Sequence, residues 1–119
     1  MSSTVVHRWY ARPVLFVADV DRALRFYVGA LGFVKKWHEA DGAGTVCQVD
    51  RGDCEIILCQ DESRRDRARL FVELTAEGLA ELRREIAEHS IPCRETWWGY
   101  DSLQILDPDG NELLFPIPE

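Results

Sequence analysis

Trp97, Trp98 and Tyr100 stand around Gly99 in the stretch TWWGYDS, residues 96–102, with Asp101 beside them. Flat aromatic faces next to a residue without a side chain make a platform on which a planar ligand stacks. A cationic ligand gains further from the ring quadrupole. Trp97 and Trp98 are neighbours, so in an extended strand they face opposite ways, and at most one lines a cavity directly. Glu55, Glu73 and Glu112 sit in strand-like segments where alternation turns them inward if those faces line a cavity. An inward acid needs a partner, and Arg12 and Arg69 are the arginines placed to supply it. Inward arginines also suit an anionic ligand. Glu55 or Glu73 could equally act as a base in a cofactor-free catalyst.

Other chemistries find no support in the pattern. Ser102 has no histidine near it in sequence, and G-x-S-x-G is absent, as is a glycine-rich phosphate loop. His7, His38 and His89 share neither an element nor a ligand spacing. Cys47, Cys54, Cys59 and Cys93 match no C-x-x-C pattern and read as reduced thiols.

These residues belong to a chain of 119 residues, 46% hydrophobic and 29% charged, with formal net charge -7. That is the size and composition of one globular domain, and it can fold without disulfide or metal staples. The acidic balance argues against a nucleic-acid or anionic-membrane partner. No apolar run approaches the ~18 residues that cross a bilayer, and MSSTVVHRWYARP lacks the apolar centre of a signal peptide. A cytoplasmic location is expected.

The elements that must position the candidates occur twice in the same order. RPVLFVA (12–18) predicts a strand. Asp19 or Asp21 then caps a helix reaching about Leu31, with Leu24, Tyr27, Val28 and Leu31 on one face and Gly32 after its end. Strands follow at about 33–39, 43–50 and 54–59, the last two joined by Asp50-Arg51-Gly52-Asp53. In the second half, RLFVEL (69–74) predicts a strand, and Thr75 caps a helix to about Glu88 with Leu79, Leu82 and Ile86 on one face. Strands near 91–97, 101–106 and 112–116 complete it, the last pair joined by DPDGN (107–111). The chain thus reads as one α+β domain spanning 1–119. It is built from βαβββ modules at about 12–60 and 68–117. The arginines of DESRRDRAR (61–69) are interrupted by acids and read as a solvated linker.

PVLFVADVDRALRFYVGALGF (13–33) and LDPDGNELLF (106–115) resemble the two ends of the vicinal oxygen chelate superfamily, which includes glyoxalase I, extradiol dioxygenases, and fosfomycin- and bleomycin-resistance proteins. GFVKKWHEADGAGTVCQVDRGDCEIILC (32–59) and Trp98-Gly99 resemble the bleomycin-resistance branch in particular. The resemblance implies a mixed sheet curled into a cup, as two half-cups around a cavity. In the metal enzymes, each module's first and last strands supply a ligand. Carried over position by position, those sites fall on Arg12, Ile57, Arg69 and Leu114. None of them offers a lone pair to a divalent ion. The resemblance therefore implies no metal or cofactor, and a homodimer binding a small molecule in clefts between subunits. Phe33, Trp37 and Trp98 match aromatic positions of the branch. The expected function is sequestration of a cationic or aromatic antibiotic-like ligand. The expected ligand-binding set is Trp98, Trp37, Phe33, Trp97 and Tyr100 with Glu55, Glu73, Glu112, Arg12 and Arg69. The alternative is a metal-dependent lyase or dioxygenase whose ligands lie elsewhere.

Overall fold

The structure is a computed structural model that describes residues 9–64, 66–97 and 99–118. Strand β1 (Val14–Val17) leads into α1 (Val20–Leu24), which continues as a π-helical stretch (Arg25–Ala30). Strand β2 (Val34–His38), a short turn-like α2 (Glu39–Gly42), β3 (Val46–Arg51) and β4 (Cys54–Gln60) complete module one. Module two consists of β5 (Arg69–Phe71), α3 (Ala76–His89), β6 (Cys93–Trp97), β7 (Asp101–Leu106) and β8 (Glu112–Pro116). The sheets have the same order, β1-β4-β3-β2 and β5-β8-β7-β6, each with one parallel pair and two antiparallel pairs. The α+β fold of two βαβββ modules is the one expected. Among the described residues no helix is long and apolar enough to cross a membrane.

Local chemistry explains the element ends. The Asp19 carboxylate accepts from the amides of Asp21 and Arg22, at 2.9 and 3.2 Å, and so caps α1. Thr75 caps α3 by accepting from Gly78 N at 3.0 Å. Gly32 adopts φ +70, the left-handed conformation that glycine takes without steric cost. Two expectations are corrected. Val28 was placed on the buried helix face, but it is exposed. The π-helical register rotates it outward, with Leu31 N donating to Phe26 O at 3.0 Å, while Tyr27 and Leu31 stay buried. Strand β5 stops at Phe71 instead of running to 74, since only three of its residues pair with β8.

Alternation assigns each sheet a helix side and an open side. Leu15, Val17, Cys47, Val49, Ile56 and Leu58 of sheet one share a single core with Val20, Ala23 and Tyr27. Leu103, Ile105, Leu113 and Phe115 of sheet two join that core with Leu79, Leu82 and Ile86 of α3. The modules therefore meet through their helix sides. The expected hairpin turn DPDGN proves to be a clasp between them. Buried Asp107 accepts from Asp109 N, Asn111 N and Asn111 Nδ2 at 2.8–2.9 Å, and from Tyr27 Oη of module one at 2.9 Å. Asp109 reaches the same module, accepting from Ala18 N at 2.9 Å and Arg22 Nη2 at 2.8 Å. A second clasp runs from Arg51, which donates to Leu31 O and forks onto the Glu85 carboxylate. In the linker, Arg64 lies over the Phe16 ring at 4.1 Å and pairs with Asp66.

Candidate functional site

The open side of each sheet carries a polar frame centred on a glutamine. In module one, Gln48 of β3 is 1% exposed. Its Oε1 accepts from Arg12 Nη1 at 2.6 Å and from Trp37 Nε1 at 2.9 Å. Its Nε2 donates to Asp50 Oδ1 at 2.9 Å and Glu55 Oε1 at 2.8 Å. Two acceptor sites and two donors are the whole capacity of a carboxamide, so this buried side chain is fully satisfied. The indole of Trp37 is thereby pinned by its N–H, with its ring 39% exposed. Tyr10 stands at the edge, its ring 5.9 Å from the Arg12 guanidinium carbon. A hydrogen bond to Glu55 raises its phenol pKa.

Module two repeats the design. Gln104 of β7 is 8% exposed. Its Oε1 accepts from Arg94 Nε at 2.6 Å, and its Nε2 donates to Glu112 Oε2 at 3.0 Å. Arg69 forks onto Glu112 through Nε and Nη2 at 3.2 and 3.0 Å. That hydrogen bond, with help from Gln104, holds the Glu112 carboxyl below the usual range. The strand registers make the frames equivalent. Gln48 pairs with Ile57 and Trp37, while Gln104 pairs with Leu114 and Arg94. Arg69 pairs with Glu112 as Arg12 stands to Glu55, two residues before the Val14–Ile57 pair.

The candidate residues thus separate into groups. Arg12, Trp37 and Glu55 meet around Gln48. Arg69 and Glu112 meet in the second frame, and Tyr100, in the turn before β7, packs edge-on against Phe71 of β5 at 6.1 Å. Arg12 was the expected partner of a glutamate, but its hydrogen bond goes to Gln48, which relays to Glu55. Phe33 lies in the core, 8% exposed and edge-on to Tyr27 at 5.5 Å, away from both frames. Trp97 is exposed and pairs with Asp101; alternation puts it on the side of Glu95, which reaches α3 through Arg83. Glu73 lies beyond β5 and, with Phe33, lines a groove of 640 Å³ between the modules on the helix side. Trp98 and His7 lie outside the described residues. His38 bonds Gly44 O at 2.8 Å at the sheet edge, and His89 is exposed at the end of α3.

Sequence reasoning missed Gln48, Gln104, Asp50, Arg94 and Tyr10. The available signal was a glutamine inside an apolar strand, VCQVD and SLQIL, recurring at the same place in both modules.

The model of the Glyoxalase/Bleomycin resistance protein/Dioxygenase superfamily matches residues 9–115. The chain belongs to that superfamily. A bleomycin resistance protein of Geobacillus stearothermophilus is 28% identical, covering 87% of this chain and 92% of its own length. The bleomycin-binding protein of bleomycin-producing Streptomyces verticillus, solved with copper(II)-bleomycin, has a TM-score of 0.72 at 25% identity, covering 97% of this chain and all of that one. A lactoylglutathione lyase from Agrobacterium tumefaciens shares the fold, with a TM-score of 0.69 at 18% identity over 91% of this chain and 92% of its own.

The four residues onto which the family resemblance carries the metal ligands offer no donor to a divalent ion. Arg12 and Arg69 present guanidinium donors, and Ile57 and Leu114 present hydrocarbon. The nearest carboxylates, Glu55 and Glu112, are engaged by Gln48, Gln104 and Arg69. Among the described residues no three His, Cys, Asp or Glu side chains gather as a metal-binding group.

Proposed function

We propose that this protein is a metal-free binding protein that sequesters a cationic or aromatic antibiotic-like small molecule. The observation that carries this reading is the pair of open sheet faces. Each face holds a hydrogen-bonded Arg–Gln–Glu frame beside exposed aromatic side chains, with Arg12, Ile57, Arg69 and Leu114 at the positions expected to match the metal donors. The relatives named for bleomycin resistance and bleomycin binding support the same reading.

Each face is half of a cup. The frames lie on the sides of the sheets away from the shared core, and Val14, Trp37, Phe71 and Leu106 remain 39–50% exposed on them. Their apolar area is available to a partner. A second copy of the chain, presenting its module-two face to the first copy's module-one face, closes two equivalent clefts by twofold symmetry. Trp98, Trp37 and Tyr100 are the proposed stacking residues, with Arg12, Glu55, Arg69 and Glu112 as the polar floor. The proposed location is the cytoplasm, where the four thiols stay reduced.

The test is a tryptophan-fluorescence titration with metal-free bleomycin, alongside sedimentation analysis. Saturable quenching at about one ligand per chain, weakened in Trp37→Phe, in a protein that sediments as a dimer, is the expected result. A flat titration removes bleomycin as the ligand. A divalent metal that survives purification and chelation overturns the metal-free reading in favour of a superfamily enzyme.

A further inference from the structure

We infer that the ligand is dipolar: its flat cationic part rests on the module-one face between Tyr10 and Trp37, and its anionic part meets Arg94 and Arg69 on the module-two face. This rests on the sequestering reading and deepens it.

The argument comes from comparing the two frames residue by residue. Three positions are chemically the same in both modules: an arginine just before or at the start of the first strand, a buried glutamine, and a glutamate on the last strand. Two positions differ. Where module one has Trp37 opposite its glutamine, module two has Arg94. Where module one has Asp50, two residues after its glutamine, module two has Leu106. These differences set the sign of each face. Module one sets Arg12 against two carboxylates, Asp50 and Glu55, for a formal charge of minus one. Among the described residues of its frame, module two sets two arginines, Arg69 and Arg94, against Glu112, for plus one.

The remaining hydrogen-bonding capacity agrees. On module one, Gln48 draws Asp50 and Glu55 together through one nitrogen and leaves Asp50 a further carboxylate oxygen, while Glu55 also takes a hydrogen bond from Tyr10. A cation over the Trp37 ring would gain from the quadrupole and from both acids. On module two, the described hydrogen bond of exposed Arg94 uses only Nε, which leaves the two Nη groups to fork onto an anion. Opposite signs on the two halves also discriminate: a ligand with one sign only meets a like charge at one end.

Two fluorescent probes of opposite charge test this on the full-length protein: proflavine, a flat aromatic cation, and 8-anilinonaphthalene-1-sulfonate, an aromatic anion. Both are expected to bind, and to bind together without competing. Asp50→Asn keeps an acceptor for Gln48 and is expected to weaken proflavine about fivefold or more while leaving the sulfonate unchanged. Arg94→Gln is expected to do the reverse. Circular dichroism confirms that both variants fold. Competition between the probes, equal loss of both in either variant, or binding of neither overturns the dipolar assignment. Bleomycin quenching in the same samples separates the two conclusions. If it saturates while the probes fail, the sequestering reading stands and the dipole falls. If it is flat and the protein sediments as a monomer, the sequestering reading has failed.

Discussion

Replacing Tyr27 by phenylalanine removes one oxygen atom and tests whether the DPDGN segment clasps the modules. Tyr27 is fully buried, and burial, together with Asp107, pushes its phenol well above its ordinary pKa, so it remains a donor at every working pH. Its hydroxyl reaches Asp107 Oδ2 at 2.9 Å, and Asp107 is itself 5% exposed. A hydrogen bond from a neutral donor to a buried carboxylate contributes about 1.5–3 kcal/mol, so Y27F should cost about 2 kcal/mol. The ring stays in its pocket, edge-on to Phe26 and Phe33, so little packing is lost. With a urea m-value of about 2 kcal/mol/M, the midpoint should fall by about 1 M. The assay is urea unfolding followed by tryptophan fluorescence at one fixed protein concentration, because assembly adds to apparent stability. Asp107→Ala strips the acceptor from four donors and should cost roughly 4 kcal/mol. In that background Y27F should cost much less, giving a coupling near 2 kcal/mol. A Y27F protein within ~0.5 kcal/mol of wild type, or an equal cost of Y27F in both backgrounds, would refute the clasp.

Two further outcomes follow from the ion pair and the thiols. The folded-state pKa of Glu112 is depressed by Arg69, so its contribution is complete above the unfolded value of about 4.3 and is lost as pH falls through the folded value. Glu112→Gln should therefore be less stable than wild type at pH 7, and the two proteins should converge near pH 3; a constant gap across that range would sink the assignment. Burial raises Cys47 to about 11, and burial also raises Cys54, whereas Cys93 is exposed. A disulfide reagent at pH 8 should label Cys93 first and Cys47 only on unfolding, as read by mass spectrometry of digested protein; prompt labelling of Cys47 would contradict the buried β3.

The order of elements was legible because it rests on short-range signals. The 3.6- and 2-residue periods, the Asp19 and Thr75 caps and the glycines after elements all act within one turn of chain. The π-helical stretch was not legible: its extra residue per turn turns Val28 outward, and apolar spacing alone predicts an α-helix there. DPDGN was read as a hairpin turn and is one, but its second role needs Tyr27, 80 residues away in sequence. The same limit governs the site. Arg12, Glu55, Arg69 and Glu112 could be picked out because alternation and family spacing place them on one face. Gln48 and Gln104 look like ordinary outward polar residues until arginine, glutamate and tryptophan from the neighbouring strands close over them.

Those glutamines show how side-chain hydrogen bonds alone can draw an open sheet face together. A buried carboxamide left unpaired would cost about 1–3 kcal/mol per group, yet Gln48 meets four partners drawn from β2, β3, β4 and the segment before β1. Such a frame draws the four segments toward one point much as a bound ion would, while leaving the identity of its outer members free to change. Trp37 in one module and Arg94 in the other exploit that freedom: each donates to Oε1 of its own module's glutamine, and one presents a ring where the other presents a charge. The frame accounts for the common geometry of the two open sheet faces, and the donor at that single position accounts for much of their difference in chemistry.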